Sequence, residues 1–168
     1  MRKIYILFFI FILGFILGGF IKFIYEANTF KPYIWESPPV IINCYGEDFS
    51  KSQMIRAIDF WIIKGEDIAF YEHDPPSYTC DKEYINGFII LRKGRRFNHE
   101  TSVLAVTSRW TSFTTVLSAV ITYRPGTQNL QWINEHELAH ALGYTHVEED
   151  GHIMHPLFDK MQGKFWIP

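Results

Sequence analysis

Eleven consecutive residues constrain this chain more than any others: His136-Glu137-Leu138-Ala139-His140-Ala141-Leu142-Gly143-Tyr144-Thr145-His146. His136 and His140 are four apart, so on a helix they stand one turn apart on one face, where two imidazoles can bind one metal ion. Glu137 is adjacent and points to one side of that pair. It can hydrogen-bond a water on the metal without ligating the metal, and can take the water's proton as general base. Gly143 ends the helix, because glycine accepts the positive φ that lets a chain turn back sharply. The turn returns His146 as a third ligand. Three protein ligands leave a fourth position open, which marks a catalytic rather than a structural zinc. A bare H-E-x-x-H arises by chance on helices that merely carry two histidines. The extended H-E-x-x-H-x-x-G-x-x-H is far more specific.

Met154 follows His146 by eight residues, within His152-Ile153-Met154-His155-Pro156. With the histidine motif it resembles the metzincin signature. Within the metzincins, the short gap to the methionine and the proline two residues after it resemble the matrixins, the matrix metalloproteinase group. The close match covers His136 to Pro156; upstream, only the order of predicted elements agrees. The resemblance implies one catalytic Zn2+ held by His136, His140 and His146, with Met154 as an apolar floor beneath the ligands. It also implies a protein or peptide substrate, and a cleft for which His155, Pro156 and Leu157 are the candidates. His155 departs from the family's usual tyrosine. Matrixins often bind a second zinc and calcium through a loop rich in histidine and aspartate. His73-Asp74 is similar to part of it, but the remaining ligands are missing. His73 and His99 therefore read as surface histidines, calcium lacks a ligand set, and Glu148-Glu149-Asp150 reads as a solvated turn.

The other end of the chain bears on location. Ile4 to Ile21 is eighteen residues without a charge, including six Ile, three Leu and five Phe, long enough to span a bilayer as a helix. Arg2 and Lys3 precede it, Lys22 follows, and Tyr25 stands at the expected interface. A cleaved signal peptide would have a shorter apolar region and small residues at a cleavage site; Tyr25 before Ala27 fits that poorly. The expectation is an uncleaved signal anchor with its N-terminus inside and the rest of the chain on the extracytoplasmic side, the alternative being a secreted protein. Gly14 and Gly18 form G-x-x-x-G, a weak pointer to a homodimer.

Setting aside Arg2, Lys3 and Lys22 leaves 13 of the 16 basic residues against 18 acidic ones, a balance of −5. No basic field exists to attract nucleic acid; Lys93, Arg95 and Arg96 read as a solvated strand end or turn. The two cysteines, Cys44 and Cys80, can form one disulfide in an oxidising compartment or remain as two buried thiols; both readings stay open.

The expected organisation is an anchor over residues 1–25, a linker over 26–38 with Pro32 and Pro38 and Pro39 directly after it, and one domain over 39–168, a size that supports a single core. Val40 to Cys44 reads as a buried strand. Ser50 and Gln53 make a capping box, Phe49 and Met54 a hydrophobic staple, and Gly65 a C-terminal stop for the helix between them. Strands follow at Asp67–Glu72, Tyr84–Leu91, Val103–Arg109 and Thr115–Tyr123, then the motif helix at about Asn129–Leu142. Strand, helix, strand at the start implies parallel pairing. The fold class is α+β. The resemblance specifies a zincin-like domain with a twisted five-stranded mixed sheet and two main helices. It also implies an edge strand beside the cleft, Val103–Arg109 being the candidate, on which an extended substrate adds as a further strand. Only a turn or two is expected after the methionine, around Phe158 to Gln162, with Phe165-Trp166-Ile167 open to closing the pocket.

Three functions compete. One is a membrane-anchored zinc endopeptidase with Glu137 as base. The second is a gluzincin-type peptidase with Glu148 or Glu149 as third ligand, which follow the helix too closely. The third is a non-enzymatic zinc-binding membrane protein, which has no need of Glu137.

Overall fold

A computed structural model of the chain describes residues 30–94 and 102–167. The expected membrane helix, with its Gly14/Gly18 pair, lies outside the described residues, as do Arg95, Arg96 and His99. Among the described residues no helix is long and apolar enough to cross a membrane.

The elements run β1 (Ile34–Trp35), β2 (Val40–Cys44), α1 (Lys51–Ile63), β3 (Phe70–Glu72), α2 (Ser77–Cys80), β4 (Phe88–Lys93), β5 (Ala105–Ser112), β6 (Thr115–Tyr123) and α3 (Ile133–Leu142), closing with a single 3-10 turn at Phe158–Lys160. Six strands form one sheet in place of the expected five. The additional strand is β1, two residues long, within the stretch expected to be a linker. Its Ile34 and Trp35 pair with Thr115 and Val116 of β6. So short a strand among prolines has no periodicity to betray it. α2, one turn long, is likewise additional to the two expected helices.

β2 pairs in parallel with both β3 and β4, and β4 in parallel with β6. Parallel strands are covered on both faces and read as unbroken apolar runs, as in Val40-Ile41-Ile42 and Phe88-Ile89-Ile90-Leu91. β5 alone is antiparallel, pairing with β6 along its whole length through a register shift at Trp110/Thr111. β5 forms one margin of the sheet, with its outer backbone edge unpaired among the described strands.

Alternation along the strands divides the interior. Ile41, Ile89, Leu91, Ala119 and Ile121 join the main core with Met54, Ala57 and Trp61 of α1 and Leu138, Ala141 and Leu142 of α3. Ile42, Ile90 and Val120 point the other way into a smaller cluster under Trp110 and Phe88. α1 begins with half of the expected capping box: Ser50 Oγ accepts from Gln53 N at 3.4 Å, while Ser50 N bonds to Asn129 Oδ1 at 3.3 Å instead of to Gln53; Phe49 and Met54 are both buried. Trp61, fully buried, donates its Nε1 hydrogen to Glu135 O at 2.8 Å and stacks on Tyr144. That bond ties α1 to the start of α3.

Cys44, at the end of β2, and Cys80, at the end of α2, form a disulfide with Cα atoms 5.4 Å apart. It closes a loop of about 36 residues, for which chain entropy predicts a stabilisation of about 3–4 kcal/mol. Phe165 packs against Trp61, Tyr144 and Phe30 behind the motif helix and is not part of the cleft lining.

Candidate metal centre

α3 is buried on nearly every side, from Ile133 to Ala139 and again at Ala141 and Leu142. It ends at Gly143, with φ of +111°. A side chain is excluded there twice over: the dihedral is left-handed, and a Cβ would lie 2.0 Å from Tyr33 O. The chain then turns so that His146 comes back beneath the helix.

The Nε2 atom of His140 lies 3.1 Å from that of His136 and 3.0 Å from that of His146. No other group of three or more potential ligands converges in this way among the described residues. The opposite ring nitrogens explain what these contacts are. His136 Nδ1 donates to Ile153 O at 2.8 Å, and His140 Nδ1 donates to Tyr144 O at 3.0 Å. Each ring therefore carries its proton on Nδ1 and turns a bare Nε2 lone pair towards the other. Two lone pairs at that distance repel unless a cation lies between them. A tetrahedral zinc ion with Zn–N bonds of about 2.0–2.1 Å spaces its nitrogens by about 3.3 Å. The donor set fits a zinc ion, and carbonyl partners on Nδ1 are the usual way a protein fixes the tautomer of a ligating imidazole.

Burial lowers the pKa of all three rings. It brings His136 to about 4, against a smaller raising effect of the Ile153 carbonyl, and His140 to about 3, with His136 adding to the depression. His146, more exposed, is lowered as well, again mainly by burial. The neutral forms of His136 and His140 thus persist well into the acid range.

Glu137 is almost fully buried. Desolvation raises its pKa to about 7, opposed by a hydrogen bond from Thr107. Thr107 Oγ1, on β5, donates to Glu137 Oε2 at 2.6 Å. Two residues along the strand, the Arg109 guanidinium donates to His140 O and, at 3.4 Å, to Tyr144 O, and stacks over the Tyr33 ring. It adds a second donor to two carbonyls at the helix end, His140 O being already bonded by Gly143 N at 3.1 Å and Tyr144 O by His140 Nδ1. Neither Thr107 nor Arg109 carries a sequence signal beyond membership of the expected edge strand.

The Met-turn is built around His152. The ring is fully buried, takes Met154 N on Nδ1 at 2.9 Å and gives Nε2–H to Trp166 O at 3.0 Å. It lies in the interior rather than at the cleft. Met154 is itself fully buried, and its carbonyl accepts from Val147 N at 3.0 Å, next to His146. Of the three expected cleft residues, Pro156 and Leu157 line the cleft. His155 does not: it accepts from Leu157 N and faces Asp150. The cleft, of about 800 Å³, is lined by Val103–Thr107 and Pro156–Asp159, by the three histidines and Glu137, and by Ile133 and Met161. His73 bonds to Tyr71 through Nδ1 at 2.7 Å. Glu149 accepts from Trp166 Nε1, and Asp150 pairs with Lys160; both are occupied structurally.

The family model of the matrixins matches residues 48–168. The chain is a matrixin. The match spans the edge strand, the histidine motif and the Met-turn, and family membership supports a zinc metallopeptidase function. No curated protein matches the chain. The matched span begins after β2, so Phe30, Tyr33 and Trp35, which brace the end of the motif helix, lie upstream of the part of this matrixin that the family model matches.

Proposed function

We propose that this matrixin is an active, membrane-held zinc endopeptidase in which His136, His140 and His146 hold the metal and Glu137 is the general base. The observation that carries the reading is the pair of bare Nε2 lone pairs on His136 and His140, facing each other at 3.1 Å beside a carboxylate whose pKa lies near 7. A bound zinc ion supplies Lewis acidity at this point, lowering the pKa of water and polarising a scissile carbonyl. Glu137 takes the proton from the attacking water and later delivers it to the leaving amine; a base with a pKa near the working pH does both well. Thr107 keeps the carboxylate turned towards the cleft. An extended peptide adds to the free edge of β5, which holds backbone of any sequence, while the pocket around Ile133, Leu157 and Met161 takes an apolar side chain.

The uncharged run Ile4 to Ile21 supports a signal anchor, and Arg2-Lys3 supports an extracytoplasmic domain. A Cys44–Cys80 disulfide accords with an oxidising compartment. N-terminal sequencing of the mature protein separates an anchored from a secreted form.

Glu137→Ala tests the mechanism. The variant is expected to keep one zinc per chain and its fold while losing peptide hydrolysis by two orders of magnitude or more, on the order of what removal of a general base costs. Near-normal turnover by this variant overturns the assigned role of Glu137. Wild-type protein that binds zinc, keeps its fold and cleaves no peptide from a broad library would make it a zinc-binding protein without activity.

A further inference from the structure

One end of the sheet carries large apolar side chains that nothing in the described fold covers. β5 and β6 meet there in a two-residue turn, Phe113-Thr114. Phe113 is 96 % exposed and holds φ at +53°, a conformation that tight turns normally assign to glycine or asparagine and that a bulky side chain disfavours. The fold gains neither packing nor turn geometry from an aromatic residue here. Its neighbours are Thr111, Ser112, Thr114 and Thr115, and no charged residue stands between Arg109 and Arg124. Ile34 donates its backbone hydrogen to Thr114 O at 2.9 Å, which sets a second apolar side chain, 55 % exposed, beside the tip.

This is also where the chain enters the domain. Phe30, four residues before Ile34, is buried against Tyr144 and Phe165. The uncharged run ends at Ile21, and the eight residues between it and Phe30 can reach at most about 30 Å. Whatever receives the run lies within that distance of Phe30, and Phe113 stands on the same side of the fold.

We propose that Phe113 and Ile34 enter the surface of the lipid bilayer that receives the Ile4–Ile21 run, so that the domain rests on the membrane at its hairpin tip as well as hanging from its tether. The inference rests on reading that run as an anchor. The tip is too small for a stable protein interface, which needs about 800 Å² from each partner. One aromatic and one aliphatic side chain are also too little to recruit a protein to lipid from solution. A tether changes this by making the contact intramolecular, so that a weak insertion becomes the prevailing state. The hydroxyl residues flanking Phe113 suit the headgroup layer. Thr107, beside Glu137, is six residues back along the same strand, about 20 Å from the tip. The docked cleft then faces chain segments close to the same membrane surface, and the substrate class is the extended juxtamembrane segment of another membrane-held protein.

The test uses full-length protein in phosphatidylcholine vesicles containing spin-labelled lipid. An environment-sensitive fluorophore is attached at Ser112→Cys, with Phe113 intact, and separately at Lys51→Cys at the start of α1. The expected result is blue-shifted emission and several-fold stronger lipid quenching at 112 than at 51, abolished when Phe113→Ser is added. Water-like emission at 112 in vesicle-held protein overturns the docking, as does a shift that follows protein concentration rather than lipid, which would assign the tip to a second copy. An alkaline carbonate wash reports the anchor independently. Protein released by the wash refutes the anchor reading and the docking with it, whereas protein that resists the wash but shows water-like emission at 112 upholds the anchor and overturns the docking alone. Phe113→Ser is further expected to leave cleavage of a soluble peptide unchanged and to slow cleavage of a vesicle-tethered peptide several-fold; equal loss on both overturns the proposal.

Discussion

Thr107 Oγ1 donates to Glu137 Oε2 at 2.6 Å across 30 residues of sequence, joining the strand that would hold substrate to the carboxylate that would move its proton. The bond favours the charged form of a group that burial otherwise drives towards neutrality.

Thr107→Val removes that bond while keeping the shape of the side chain. The pKa of Glu137 is expected to rise further, because the interaction lost is one that lowers it. The acid limb of the kcat/KM profile should move to higher pH, with roughly a tenfold loss on that limb for each pKa unit gained. A pH–rate series on both proteins checks this; an unmoved acid limb would mean that Thr107 does not act through Glu137.

His152→Ala should destabilise the domain by about 2–4 kcal/mol. It opens a cavity and leaves Met154 N, in the interior, and Trp166 O, half-buried, without their partner. Zinc affinity should fall as well, since His152 sets the turn whose Ile153 carbonyl orients His136. Urea melts and zinc competition with a chromophoric chelator measure the two effects. Loss of stability with unchanged zinc affinity would separate the Met-turn from the metal site.

The zinc-free protein should be less stable at pH 5 than at pH 7. His136 and His140 have folded pKa values of about 4 and about 3, below the unfolded value of about 6.5. The unfolded chain therefore binds more protons between those limits. The stability they contribute is present above pH 6.5 and is lost as pH falls towards 4. Glu137 opposes them: its folded value of about 7 is above its unfolded one, so its contribution is present at low pH and is lost as pH rises through 7. Two histidines outweigh one glutamate, and Glu137→Gln should steepen the dependence by removing the opposing group. Chemical denaturation at the two pH values decides this; equal midpoints would contradict it.

The three converging histidines are legible because their arrangement is local. His136 and His140 need only the helical repeat, and His146 needs only a helix stop at Gly143. The capped helix starting at Ser50 and the strands Val40–Cys44 and Thr115–Tyr123 were legible for the same reason: caps and apolar runs act over a few residues. Within the Met-turn, sequence separated Pro156 and Leu157 poorly from His155, because which way a turn residue faces depends on what packs behind it, here Asp150 and the chain after it. β1 escaped notice because two residues carry no period.

Sequence by itself thus picked out the three histidines that converge, the carboxylate beside them, the parallel strand–helix–strand start and, through the motif, the family. Tertiary structure alone decided the rest. It brought Thr107 to Glu137, the Ile153 carbonyl to the ring of His136, and Arg109 and Tyr33 to the end of the motif helix. It sent His152 inside while leaving Phe113 outside. The physical reason is range. A ligand spacing is written in the geometry of one helix, whereas the hydrogen bonds that choose a tautomer or aim a carboxylate join residues that meet only after the sheet and helices have packed.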